Sequence, residues 1–355
     1  MFQLEKLIRP HLLSLTPYSS ARDEYSGKEG IFLDANENPL GSATPDNFNR
    51  YPDPYQWAVK EKLAPIKGVR KSQIMLGNGS DEPIDLLVRA FCEPKKDHIL
   101  ILPPTYGMYE VSATIQNVGS KKVPLTADFQ IDVDKVIASV DAHTKLIWLC
   151  SPNNPSGNVL NRTDIIQIIE SVSCLVIVDE AYIDFAPETT LLTELDQYPN
   201  LVVLQTFSKA WGLAGLRVGM CFASEPIIAL LNKIKSPYNI SSITQKLLAE
   251  ALDNVIQKDE MVQEILRNRE RLKERLTELA IVETIHPSDS NQLLVKFQDS
   301  AAVFAYLLDN KVIVRDRSKV MHCNNCLRIS VGTEAEDNEL FNLLEQFTRQ
   351  LVPES

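Results

Sequence analysis

No apolar run in the 355-residue sequence could cross a bilayer; the longest are roughly six to eight residues, against the ~20 a spanning helix needs. Basic charge is not in excess either: 36 Lys and Arg stand against 47 Asp and Glu, a formal net charge of −11. That balance argues against nucleic acid or an anionic membrane as the main partner, although local arginines can still take up a small anion. The opening stretch MFQLEKLIRPHLLSL lacks a long apolar core and a small-residue cleavage site, so mature sequence is expected there. Cysteines are few and scattered, at 92, 150, 174, 221, 323 and 326. Four lie inside apolar runs, where a reduced, buried thiol is expected, and a reducing, cytoplasmic location follows as an expectation. Cys323 and Cys326 beside His322 have metal-like spacing, but no second pair of ligands accompanies them, so no metal site is expected. Internal repeats and low-complexity segments are absent as well.

What is present is an alternation of short β-type runs with helix-period segments. Strands are expected at Ile74–Leu76, His98–Leu102, Lys121–Val123, Lys145–Cys150, Leu175–Asp179, Leu201–Thr206 and Val218–Ala223. Helices are expected near Asp81–Cys92, Tyr106–Asn117, Thr163–Val172 and Pro226–Lys235. Such alternation predicts an α/β fold with a large, mostly parallel sheet covered on both faces. From Ser242 to Leu279 the pattern is helical. The tail then changes to strands Leu293–Phe297, Val312–Arg315 and Leu327–Val331 with helices Ala301–Asn310 and Glu334–Leu351, an α+β piece. The expected division is an arm at 1–30, a large domain at 31–260 and a small domain at 261–355. One long irregular stretch, DANENPLGSATPDNFNRYPDP, is of the length that is often functional.

In open α/β sheets the ligand sits beyond the carboxyl ends of the strands. Four such ends carry polar groups: GNGSDE at 77–82, SPNNPSG at 151–157, VDEAYIDF at 178–185 and TFSKAWGLAGLRVG at 206–219. GNGSDE suits an oxyanion, because Gly77 and Gly79 permit close backbone approach and the following amides, from Ser80 and Asp81 on, open a helix. It is neither a Walker A loop, since no Gly-Lys-Ser/Thr follows, nor a dinucleotide fingerprint. Asp81 and Glu82 would repel a phosphate unless their carboxylates turn away. Taken singly, Asp179 is a carboxylate at a strand end and Lys209 a solvated charge. Together they suggest pyridoxal phosphate, which needs an amine for its aldehyde, a carboxylate for its pyridine nitrogen and donors for its phosphate. Desolvation at a buried strand end would lower the Lys209 pKa, and Thr206, Ser208 and Arg217 offer further phosphate donors.

At these residues the chain resembles the fold-type I pyridoxal-phosphate aminotransferases, and among them the histidinol-phosphate aminotransferase family. The resemblance runs nearly end to end through LTPYSSAR, LDANENPLG, RYPDP, GNGSDE, PPTYGMY, SPNNPSG, VDEAYIDF, TFSKAWGLAGLRVG, VIVRDR and LRISVGT, in the family's order. It implies that Lys209 carries the cofactor and moves a proton at the substrate Cα, while Asp179 pairs with the ring nitrogen. Asn154 and Tyr182 would hold the ring oxygen, and Tyr106 would stack on the ring. Gly79, Ser80, Asp81, Thr206, Ser208 and Arg217 would surround the phosphate. Tyr51 would reach the cofactor phosphate of a second subunit, implying a homodimer. Arg328 would meet the donor's carboxylate, with Tyr18, Asn38 and Arg315 completing the substrate pocket; Arg317 competes with Arg315 for that place. Position 156 is Ser where many members of the family have Thr, a minor departure.

The implied reaction is reversible amino transfer between L-glutamate and imidazole-acetol phosphate, giving L-histidinol phosphate and 2-oxoglutarate in histidine biosynthesis. Threonine-phosphate decarboxylation and aromatic amino-acid transamination are the alternatives on the same scaffold. A cofactor-sensing regulator would need an added DNA-binding domain, for which the residues before LDANENP leave little room.

Overall fold

The structure, a computed structural model, describes residues 2–18 and 30–351. Ser19–Arg22 of the LTPYSSAR motif lie outside the described residues. Seven strands build the larger sheet: β1 (Ile74–Asn78), β2 (His98–Ile101), β3 (Gly119–Lys122), β4 (Thr144–Cys150), β5 (Leu175–Asp179), β6 (Leu201–Thr206) and β7 (Val218–Ala223). Their order is β1-β7-β6-β5-β4-β2-β3. The run from β3 to β6 is parallel, whereas β7 is antiparallel to both β6 and β1. A parallel return needs a crossover of a dozen or more residues, usually helical. The link Phe207–Arg217 has only a 3₁₀ turn at Ala214–Leu216, so β7 comes back beside β6 in the opposite sense. Because β1 in turn opposes β7, its carboxyl end shares an edge with those of β2, β4, β5 and β6.

Strand periodicity divides the core into two layers. Leu76, Leu100, Ile147, Leu149, Val176, Val178 and Val203 face one side. Met75, Ile99, Ile101, Trp148, Ile177, Val202 and Leu204 face the other. The helix Asp81–Phe91 lies on this second layer, burying Ile84, Leu87, Val88 and Phe91 at helical spacing. A further helix at Trp57–Lys67 follows the irregular stretch, beyond those expected; Gly68, at φ +66°, ends it in the left-handed conformation that a Cβ disfavours.

The second sheet is antiparallel: β8 (Val282–Ile285), β9 (Gln292–Phe297), β10 (Arg315–Asp316) and β11 (Cys326–Ser330), in the order β10-β11-β9-β8. Its core of Leu272, Leu276, Leu293, Val295, Phe297, Leu327 and Leu344 is separate from that of the larger sheet. The helix Val255–Thr277 runs without interruption through position 260, where the expected division falls. Its Val262 packs with Tyr182, Phe185 and Ala210, so it braces the strand-end loops of the larger sheet. The expected strand Val312–Arg315 is corrected to Arg315–Asp316: Lys311, at φ +65°, turns the chain, and the Val312 amide bonds back to Leu307 rather than to a strand. Among the described residues no helix is long and apolar enough to cross a membrane.

Candidate active site

Asp179 is the last residue of β5 and is 3% exposed. Its Oδ2 accepts from the Tyr109 hydroxyl at 2.5 Å and its Oδ1 from the Ala181 amide at 3.1 Å. Burial raises its pKa to about 6, against the pull of those two donors. Tyr109 is fully buried and stacked on Trp148, with ring centroids 4.6 Å apart. Sequence reasoning passes over Tyr109, although it stands in PPTYGMY. A buried phenol needs a hydrogen-bond partner, and that is the available signal.

Lys209 follows β6 by three residues, and its Nζ lies 5.6 Å from the centre of the Tyr182 ring. Its pKa is lowered, first by burial and then by Arg328, while Asp179 acts in the opposite direction. The residue as a whole is exposed, so its burial is partial. Tyr182 is buried, and Asn154 Nδ2 donates to its hydroxyl at 3.4 Å. Arg328 Nη1 donates to Asn154 Oδ1 at 2.7 Å. One chain of contacts therefore links β11 of the small sheet to the ends of β4 and β5. Arg315 is the cross-strand partner of Arg328, so the two guanidinium stems share a face.

The phosphate-type cradle forms where β1 meets β7. The Gly79 amide donates to the Arg217 carbonyl at 2.8 Å, so Gly79 supplies space rather than a donor. A Cβ on Gly79 would come within 2.6 Å of Arg217 Nη2, and its φ of +69° disfavours any side chain. Beyond it, the first amides of the helix Asp81–Phe91 have no intrahelical acceptor. Ser80 does not cap that helix; its hydroxyl bonds to the Gln205 carbonyl at 3.2 Å. Thr206 and Ser208, at the end of β6, share a hydroxyl–hydroxyl bond of 3.0 Å. Geometry removes the conflict for Glu82 but leaves Asp81 beside the cradle arginine. Glu82 turns back to the Asn78 amide and to Asn239, at 2.5 and 2.9 Å. Asp81 accepts from the Tyr106 hydroxyl at 3.1 Å and lies 3.6 Å from Arg217 Nη2.

The cradle opens on a cleft of about 880 Å³ whose lining includes Asn78, Arg217, Glu37 and Tyr51. Tyr51 is half exposed and stacks on Tyr238, with centroids 4.5 Å apart. Two expected substrate residues have their contacts elsewhere. Tyr18 lines a separate groove with Tyr55, Trp57 and Lys60. Asn38 is exposed and accepts from the Leu40 amide at 3.0 Å. Cys323 and Cys326 are buried, with thiol pKa values raised by desolvation to about 12 and about 11, and the His322 ring meets the Leu125 carbonyl at 3.1 Å.

A carboxylate at a strand end, an amine near it, a hydrogen-bonded Asn–Tyr pair and a donor-lined cradle fit the four groups of pyridoxal phosphate that need a partner: ring nitrogen, aldehyde, ring oxygen and phosphate. The glycine whose Cβ would crowd Arg217 keeps that cradle open. The pattern of the aminotransferase class I and II family matches residues 28–344. The chain belongs to this family. Among its full-length relatives are aminotransferases named histidinol-phosphate aminotransferase. That of Cytophaga hutchinsonii is 55% identical over 98% of this chain and 99% of its own. That of Parabacteroides distasonis is 49% identical over 97% of this chain and 99% of its own. The crystal structure of the Sinorhizobium meliloti enzyme in complex with pyridoxal-5'-phosphate matches 96% of this chain and 97% of its own with a TM-score of 0.79. At 23% identity that match establishes the shared fold-type I architecture.

Next to Asp179, Glu180 is 1% exposed and accepts from the Thr190 hydroxyl, the Leu191 amide and Gln205. Burial raises its pKa from 4.5 to about 7. A carboxyl whose folded pKa is raised stabilises fully below the unfolded value, and that contribution is lost as pH rises through the folded one. Stability should therefore fall between pH 4.5 and 7, by roughly 3 kcal/mol from this group. Glu180→Gln should flatten that limb in thermal melts of the cofactor-free protein. The Gln205 amide can flip to meet it, since Gln205 Oε1 is buried without a partner. A limb as steep as in the wild type would place the titration elsewhere.

Proposed function

We propose that this aminotransferase is a histidinol-phosphate aminotransferase, exchanging the amino group between L-glutamate and imidazole-acetol phosphate with pyridoxal phosphate as cofactor. The observation that carries it is the contact of Arg328 with Asn154, beside Arg315. It supports an anion receptor beside Asn154 and Tyr182, which in this reading orient the cofactor ring. Full-length relatives bearing that name support the same reading. When bound, the cofactor acts as an electron sink for the substrate Cα. Lys209 forms the covalent attachment and carries the proton to and from that carbon. Asp179 holds the positive charge at the far end of the ring. Arg328 takes the glutamate carboxylate, and in the second half-reaction Arg328 and Arg315 take the phosphate ester through paired N–H donors.

Purified protein with cofactor should absorb in the visible, bleach with glutamate and recover with imidazole-acetol phosphate. A protein inert to glutamate, or one releasing carbon dioxide from threonine phosphate, would overturn the assignment. Arg328→Ala should depress both half-reactions by about 10²-fold or more, the scale of removing one partner from a desolvated charge contact. Single-turnover rates for each substrate check this; a loss confined to one half-reaction contradicts the shared role.

The homodimer, with Tyr51 serving the partner's cofactor phosphate, belongs to this proposal. Ile31, Leu33 and Leu40 are each at least 85% exposed, an apolar surface that a second subunit would cover. Sedimentation at the monomer mass would refute it. A cytoplasmic location is likewise our reading, supported by six buried free thiols and refuted by fractionation with secreted proteins.

A further inference from the structure

Arg315, Arg317 and Arg328 gather on one side of the small sheet. Arg315 pairs in register with Arg328, and the Arg317 amide continues the ladder to the Cys326 carbonyl at 3.0 Å. Strand periodicity returns Arg317 to the face of Arg315. Among the described residues no carboxylate forms an ion pair with any of the three. Asp316, the acid between them in sequence, is turned to the Ser318 amide and hydroxyl at 2.8 and 2.6 Å. Nε of both Arg317 and Arg328 is buried without a hydrogen-bond partner. Burial and the neighbouring guanidinium groups lower the proton affinity of Arg317. The charge of Arg317, like that of Arg328, opposes the burial that raises the Tyr182 pKa.

A structural arginine seeks the nearest acid. Three guanidinium groups without one, those of Arg317 and Arg328 partly buried, repel each other, and an entering anion relieves that repulsion. A carboxylate has two oxygens and is satisfied by a single planar fork. A phosphate monoester carries nearly two charges and has three acceptor oxygens, leaving an edge for a further fork. We infer that Arg317 is a specificity-determining residue that engages the phosphate of the phosphorylated substrate and leaves the glutamate carboxylate to Arg328. This deepens the reaction proposed above and rests on it.

The test is Arg317→Gln in the holoenzyme. KM for histidinol phosphate should rise roughly 10- to 100-fold, the effect of one charge-assisted bond, with kcat within a few-fold of the wild type. The glutamate constants should change by no more than about twofold. Inorganic phosphate, tested as an inhibitor of the bleaching by glutamate, should weaken in parallel. Arg317→Lys keeps the charge but not the fork, and should recover part of the loss. If the Gln variant yields no soluble holoenzyme, the Lys variant decides, since a several-fold rise in the phosphate-ester KM alone supports the role. Equal losses on both substrates, or a fall in kcat at constant KM, would reduce Arg317 to packing. Failure of the wild type to use histidinol phosphate would instead refute the proposed reaction, while the phosphate inhibition would still report on Arg317.

Discussion

Lys209→Ala should abolish turnover, lowering kcat by about four orders of magnitude or more, because in the proposed reaction it removes both the covalent attachment and the proton carrier. Fold stability should hardly change. Lys209 is exposed and has no ion pair among the described residues, and substitutions at such positions stay within about 0.5 kcal/mol. The other proposed anchors of the cofactor would remain in place, with Asp179 at one end and the Gly79–Arg217 cradle at the other. The variant should therefore still retain cofactor after loading, with altered visible absorption, and glutamate should fail to bleach it in a single turnover. Near-native rates would mean that another base works at the substrate Cα.

Why Lys209 can be found in the sequence at all is a matter of strand ends. β5 and β6 coincide with the expected Leu175–Asp179 and Leu201–Thr206, because fully buried parallel strands are short apolar runs stopped by polar residues. Asp179 and Lys209 are placed by those stops. Strand direction is less legible. Val218–Ala223 is as apolar as its neighbours, and nothing in its composition distinguishes the antiparallel β7 from a parallel strand. Only the shortness of Phe207–Arg217 does. The edge strands are harder still: β10 is two residues long and paired on one side, so residue pattern carries little of its definition.

Within the site, residues defined by a motif are easier to find than residues defined by a contact. Arg328 stands out in LRISVGT, yet its bond to Asn154 joins positions 174 residues apart. Tyr18 and Asn38 are assigned by resemblance, and their local contacts lie away from Lys209. Glu180 is recognisable only as the neighbour of Asp179; its burial among Thr190, Leu191 and Gln205 is a tertiary fact. Arg317 gains its meaning from register, which brings it to the side of the sheet that carries Arg328. Spacing along the chain does not encode that.

Asp179→Asn should be the second most damaging change. The wild-type carboxyl sits fully desolvated between the Tyr109 hydroxyl and the Ala181 amide, a setting that suits it only when a positive charge lies opposite. Its pKa of about 6 without that partner shows how costly the bare carboxylate is. A cation across the ring would pull the value down and fix the ionised form, and the ionised form would in turn keep the ring nitrogen protonated. Asparagine preserves shape and can still accept from Tyr109, but it cannot hold a cation. Loss of one member of a buried charged pair costs about 3–5 kcal/mol, which corresponds to a fall in kcat of roughly 10²- to 10⁴-fold. Direction in pH separates this from simple misfolding. Wild-type holoenzyme should keep its rate as pH is lowered past about 6, because the ring charge holds Asp179 ionised. The asparagine variant should be slow throughout and recover partly at low pH, where the ring nitrogen protonates unaided. Rate–pH profiles with glutamate decide it, and an Asp179→Asn enzyme with wild-type kcat at a pH of about 8, well above the titration of the carboxyl, would show that Asp179 supports the fold rather than the cofactor.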